Sequence, residues 1–247
     1  MNDALTTGGR RLWWLLGAVL LVVVVVVVAT WTWVTVRGDG RNGHVVTGAT
    51  GELREATFVL LDGADVVRVR TADLGDDAYR VSTPRDANVR PVVSRTDASL
   101  LTSLRGTDRD GPAVVEVVLA ESVRWHVRLS GGAKEQHLDL RGARLGDVEF
   151  TAGANRIELT LPAPQGTQRT LLGGGASQVV VRLADNAPVR VRAGGGAGSV
   201  TIDGTTHSGV ASGTTFTPPE WNAATDRYDI DATGGVSSVT VDRAAAG

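Results

Sequence analysis

The sequence predicts an all-β protein, a single-layer wound β-solenoid preceded by one N-terminal transmembrane helix. Three observations predict it. First, a short motif returns as Gly153-Ala-Asn-Arg-Ile157-Glu-Leu159, Gly175-Ala-Ser-Gln-Val179-Val-Val181, Gly196-Ala-Gly-Ser-Val200-Thr-Ile202 and Gly235-Val-Ser-Ser-Val239-Thr-Val241. Its glycines step by 22 (153 to 175), 21 (175 to 196) and 39 (196 to 235), the last being two periods with one degenerate copy. Turn residues followed by alternating apolar residues at a fixed period indicate stacked β units. Second, the chain beyond residue 52 alternates with period two and contains no long amphipathic helix. Third, no charged residue lies between Arg11 and Arg37.

Residues 1–11 form a short polar tail. The uncharged stretch 12–36 spans about 37 Å as a helix, enough for a hydrocarbon core of about 30 Å. Trp13 and Trp14 at one end and Trp31 and Trp33 at the other suit two interfacial belts. The apolar core is too long for a cleaved signal peptide, and Ala29-Thr-Trp-Thr-Trp33 is a poor cleavage site. The expected arrangement is an uncleaved single-pass anchor in the cell membrane, with the N-terminus cytoplasmic and the C-terminal domain outside. Arg10 and Arg11 face Arg37 and Arg41, so the charge bias that sets orientation is slight.

Residues 37–52, rich in Gly, Asn, Asp and Thr, read as a flexible linker. The solenoid domain is expected over 53–243, with its clearest repeats over 132–243 and a frayed tail at 244–247. Strands are expected at 57–61, 66–70, 79–82, 89–94 and 113–119, bounded by Asp-Gly, Pro-Arg-Asp and Asp-Gly-Pro turns. The segment 96–111 reads as a longer loop. Short strands then follow at 125–129, 136–140, 147–151, 156–161, 169–172, 178–183, 189–192 and 199–202. The alternation places Ile157, Leu159 and Leu161 on one face and Arg156, Glu158 and Thr160 on the other. The corner glycines are expected to supply positive φ. Residues 204–226 break the rhythm and read as a long loop packed down by Phe216 and Trp221. Strands at 228–232 and 238–242 are expected to close the stack.

Composition narrows the function classes. A net charge of −2 gives no field that favours nucleic acid. The absence of cysteine excludes disulfides, thiol catalysis and thiolate metal sites. Lys134 is the only lysine, so the arginine excess reads first as the codon usage of a GC-rich genome. The glycine runs 173–175 and 194–196 lack the lysine and the following helix of a phosphate loop. Gly195-Gly-Ala-Gly-Ser-Val-Thr-Ile202 lacks the aspartate and the nine-residue period of a calcium-binding repeat. His44, His126, His137 and His207 are scattered, and no second and third metal ligand accompanies any of them. Asp76, Asp77, Asp108 and Asp110 read as turn carboxylates. No catalytic, cofactor or metal residues are expected. Arg182, Arg190 and Arg192, with Arg169, are candidates for one outer face that binds an anionic envelope polymer or lipid headgroups.

Several segments resemble a known family. These are Val123-Arg-Trp-His-Val-Arg-Leu129, Gly153 to Pro162, Gly174-Gly-Ala-Ser177, Ala187-Pro-Val-Arg-Val-Arg192, Gly195 to Gly204 and Asp226-Arg-Tyr-Asp-Ile-Asp231. They are similar to the toast-rack β-solenoid of LiaF-like cell-envelope stress proteins and to the related adhesin domain of unknown function. The arginine and glycine content suggests an actinobacterial member. The resemblance implies a non-enzymatic membrane protein with a role in envelope sensing or in regulating a two-component system. LiaF-like proteins carry several transmembrane helices where this chain has one candidate. The family has no established catalytic motif to carry over.

The expected function is therefore a membrane-anchored, non-catalytic binding, sensing or regulatory module of the bacterial cell envelope. Its expected partners are the bilayer, through 12–36, and an envelope polymer or a signalling protein, with no nucleic acid. Two alternatives stand beside it: a structural or adhesin-like stalk, and a hydrolase with a site in the 204–226 loop built on His207 and Ser208.

Overall fold

The computed structural model describes residues 35–36 and 43–243. The expected anchor at 12–36, with Trp13, Trp14, Trp31 and Trp33, lies outside the described residues except at Thr35–Val36. Those two residues form a short strand. Among the described residues no helix is long and apolar enough to cross a membrane.

Twenty strands are described. In chain order they begin with β1 (Thr35–Val36), β2 (His44–Ala49), β3 (Glu55–Leu60), β4 (Ala64–Ala72), β5 (Asp77–Thr83), β6 (Val89–Thr96) and β7 (Ser99–Gly106). Next come β8 (Val114–Ala120), β9 (Arg124–Leu129), β10 (Ala133–Asp139), β11 (Arg144–Phe150), β12 (Ala154–Leu161), β13 (Thr167–Leu172) and β14 (Ala176–Leu183). The last are β15 (Val189–Ala193), β16 (Ala197–Ile202), β17 (Thr205–Val210), β18 (Thr214–Phe216), β19 (Arg227–Ala232) and β20 (Val236–Arg243). A 3-10 turn, Pro219–Asn222, precedes β19.

The strands form two sheets rather than the single wound layer expected. The first has the order β1-β2-β5-β8-β4-β10-β12-β14-β20-β16-β17, and the second β18-β15-β19-β13-β11-β9-β3-β7-β6. Each coil of the solenoid gives one strand to each sheet, and successive coils pair in parallel and in register. Alternation then stacks equivalent side chains into internal columns. One column runs Val115, Val67, Gln136, Ile157, Val179, Val239, Val200. The facing column of the second sheet runs Leu100, Phe58, Val127, Val148, Thr170, Ile230, Val191. Gln136 interrupts its column: it is fully buried, and its amide has no partner among the described residues.

Chain order and stack order differ at both ends. The coil β19–β20 does not close the stack as expected; it inserts between β13–β14 and β15–β16. The chain reaches the last coil first, turns through β17 and β18, and returns to fill the vacant place. The 39-residue glycine step is the length of that excursion. The other end mirrors it. The coil β3–β4 lies between β7–β8 and β9–β10. Antiparallel strands cap each terminal coil: β5 on β8 and β6 on β7 at one end, β17 on β16 and β18 on β15 at the other. An uncapped coil would expose a full parallel edge to a second chain.

Two expected loops are thus strands. The segment 96–111 contains β7, whose Leu100 and Thr102 are buried. The segment 204–226 contains β17 and β18, with Trp221 buried and donating to the Tyr228 carbonyl and Phe216 packed against the core. The expected linker at 37–52 contains β2, which pairs with β5 and buries Val45 and Val46. Of the corner glycines, Gly196 takes the expected positive φ, 83°, whereas others act by close approach. A Cβ at Gly174 would lie 2.1 Å from the carbonyl carbon of Ala152, and one at Gly234 would lie 2.5 Å from that of Gly174.

Candidate functional site

The outward residues of the first sheet form rows across the stack. One row reads Arg80, Val118, Arg70, Asp139, Thr160, Arg182. The next reads Ser82, Glu116, Arg68, His137, Glu158, Val180. All of these but Val180 line an open depression of about 730 Å³. Val118 points outward yet is only 7 % exposed. Arg70 and Arg80 flank it in register.

Half of this floor is paired. Asp139 accepts from Arg141 at 2.7 and 3.0 Å, which holds its carboxyl below the ordinary value. Glu158 accepts from Arg156 Nε at 2.8 Å and lies 3.7 Å from Arg182. The hydrogen bond from Arg156, aided by that charge and by His137 and Arg182, lowers the Glu158 carboxyl pKa against the opposing effect of burial. His137 lies between Glu135 at 2.9 Å and Glu158 at 3.5 Å. The other half is not paired. Arg68, Arg70 and Arg80 are exposed, and none makes an ion pair or a side-chain hydrogen bond among the described residues. Glu116, opposite Arg68, is likewise unpaired.

The four arginines expected to share one face do not. Arg182 is on β14 of the first sheet, whereas Arg169 is on β13 and Arg190 and Arg192 are on β15 of the second. Arg190 donates to both carboxylate oxygens of Asp229, at 2.9 and 2.7 Å, and lies 3.8 Å over the Trp221 ring. Arg227 covers the same ring at 4.2 Å. Arg192 meets Asp231 at 3.2 Å. Only Arg169 of the second-sheet group is without a partner among the described residues. Arg68, Arg70 and Arg80 are not among the arginines expected to bind. The alternation Val67-Arg-Val-Arg70 shows that Arg68 and Arg70 point outward, but nothing local shows that Arg80 joins them across β8.

The remaining candidates hold no reactive constellation. His126 Nε2 meets Glu55 at 2.9 Å, while its Nδ1 accepts the Asp147 backbone N–H at 3.0 Å. Both nitrogens are thus engaged. That hydrogen bond from His126 lowers the Glu55 carboxyl pKa. His207 is exposed, stacks on Phe216 with 4.6 Å between ring centroids, and has no carboxylate partner among the described residues. The His207–carboxylate pair that a hydrolase in this segment needs is not formed. Tyr228 is buried, donates to the Pro162 carbonyl at 2.9 Å, and has its pKa pushed up to about 12 by burial. Such a phenol holds two coils together and does not titrate near neutrality. Among the described residues no group of three or more His, Asp or Glu is arranged to hold a metal.

No protein-family model and no curated protein matches the chain. Solved structures do. A candidate cell adhesion protein from Clostridium sporogenes aligns over 81 % of this chain and 98 % of its own, at 11 % identity and a TM-score of 0.59. That likeness shows a shared fold. Candidate adhesins from Bacteroides fragilis and Parabacteroides merdae align over 80 % and 85 % of this chain, and over 96 % and 81 % of their own. Their identities are 9 % and 11 % and their TM-scores 0.25 and 0.24, too loose to argue from.

Proposed function

We propose that this chain is a non-catalytic, adhesin-like binding module that displays the outer faces of its solenoid to the exterior of a bacterial cell. The observation that carries the reading is the fold it shares with a candidate cell adhesion protein across nearly all of that protein's length. The architecture supports it. In-register columns and capped ends make a stiff body, and its side-chain chemistry lies on the outside. The sequence resemblance to the toast-rack domain points the same way. It adds that the module belongs to the cell envelope, where a sensing or regulatory role is the second reading.

The anchor is part of the proposal. Residues 12–34 hold the module in the bilayer as a single span, with the N-terminus inside, the expected span being cut short because Thr35–Val36 pair with β2. The support is the lack of charge between Arg11 and Arg37 and the tryptophan pairs at both ends. The chain has no cysteine, so one introduced thiol reports location without background. Ser177, exposed on β14, is the place for it. A membrane-impermeant maleimide applied to intact cells is expected to label S177C. Labelling only after permeabilisation would sink the adhesin-like reading and turn the search to intracellular partners.

A further inference from the structure

We propose that the depression on the first sheet binds a linear polyanion, a polymer carrying repeated phosphate or carboxylate groups, laid across the strands along the stack. This names the ligand class for the binding module proposed above and rests on that reading.

The floor of the depression carries the chemistry that recognises such a polymer. Arg70 and Arg80 stand in register on either side of Val118, and Arg68 stands two residues from Arg70 on the same face. Strand spacing sets Arg80 and Arg70 roughly 10 Å apart at the backbone, with Arg182 roughly 14 Å further along the same row. A guanidinium presents a planar fork of donors that matches phosphate and carboxylate oxygens. Among the described residues Arg68, Arg70 and Arg80 have no side-chain acceptor, whereas Arg141, Arg156 and Arg190 are committed to Asp139, Glu158 and Asp229. A protein cation that donates to no carboxylate keeps its full donor set for a ligand.

The row favours a chain of charges over a single anion. Three arginine positions lie on one line across the strands, with Asp139 between them neutralised by Arg141. The lining explains why the polymer is not a nucleic acid. The floor is Arg, Val, Ser, Glu, His, Leu, Asp and Thr, with no Trp, Tyr or Phe on which bases stack. Among the described residues Glu116 is the unpaired opposing charge that lines the site, and it sets a test that a merely structural role would not pass.

The experiment titrates the full-length chain in detergent against long-chain polyphosphate and against polygalacturonate, with neutral dextran and single-stranded DNA as comparisons. Wild type is expected to bind at least one polyanion and not dextran, more weakly as salt rises. R70E/R80E is expected to weaken binding by about tenfold or more, since like charges now face the polymer. E116Q is expected to tighten binding. R169S, on the second sheet, is expected to leave it unchanged. These variants are exposed, and unchanged melting curves confirm that each is folded. Binding of neither polymer, or equal binding by wild type and R70E/R80E, overturns the inference. Tighter binding of single-stranded DNA than of polyphosphate overturns the choice of polymer. If S177C labels from outside and no polyanion binds, the ligand class is wrong and the adhesin-like reading stands. If polyanions bind and S177C is reached only after permeabilisation, the site stands and that reading fails.

Discussion

The first-sheet floor around β4, β5 and β8 and the second-sheet corner around β15 and β19 carry the same side chain to opposite ends. At the corner, the inserted coil brings Asp229 and Asp231 beside Arg190 and Arg192, and each arginine is bound. Asp229 raises the pKa of Arg190, chiefly through their hydrogen bond, and the guanidinium is clamped over Trp221. On the floor, the neighbours of Arg70 are Val118 and Asp139, and Asp139 is already held by Arg141. Cross-strand register, not arginine content, decides whether a cation is structural or available. An arginine stripe read from sequence cannot make that distinction.

The largest effect that would sharpen the contrast is at the corner. D229A removes both acceptors of Arg190 and leaves a half-buried cation over Trp221. It is expected to lower unfolding free energy by about 1–3 kcal/mol, read as a lower denaturant midpoint at constant slope. A shift no larger than that of an exposed substitution would break the comparison. A smaller effect concerns the paired half of the floor. The Glu158 carboxyl has a folded pKa below its ordinary 4.5, so its contribution is fully present above about that pH. It is lost as pH falls through the lower folded value. E158Q is expected to cost about 0.5–1 kcal/mol at neutral pH and to lose less stability than wild type on acidification below the ordinary carboxylate range. Parallel acid curves would show that Arg156 and Arg182 do not discriminate the ionised form. The smallest effect is on the free half. R68S, R70S and R80S are each expected to change stability by about 0.5 kcal/mol or less, since no partner is lost. A larger loss would mean these arginines hold the fold together.

Much of the fold was legible. Period-two alternation located β4, β12 and β14 because each has one wet and one buried face. The glycine repeat marked the coil spacing because the chain turns at the same point of each coil, and next to the repeat glycines, at Gly174, Gly195 and Gly234, neighbouring backbones leave no room for a Cβ. The stack order was not legible. Nothing in Arg227 to Arg243 announces that these strands fill a gap between earlier coils rather than extend the end. The placement depends on pairing with β13 and β15 at once. The strand β2 was missed because Gly48 and Thr47 read as linker. In the fold, Gly48 makes room for the Tyr79 ring, which would lie 2.5 Å from a Cβ there. The strand β7 left a signal in the alternation of Leu100 and Thr102, obscured by polar neighbours. The floor cluster was illegible for the same reason as the stack order. Arg70 and Arg80 are close in sequence but are joined across β8, which the chain adds only after both.

The central claim is that Arg68, Arg70 and Arg80 have no side-chain partner among the described residues while Arg190 is bound. Arginine footprinting with phenylglyoxal on the full-length chain, read by mass spectrometry over a time course, tests it directly. The account expects Arg68, Arg70 and Arg80 to be modified several-fold faster than Arg190, and D229A to raise the Arg190 rate toward theirs. Equal rates in wild type, or an Arg190 rate indifferent to the loss of Asp229, would contradict it.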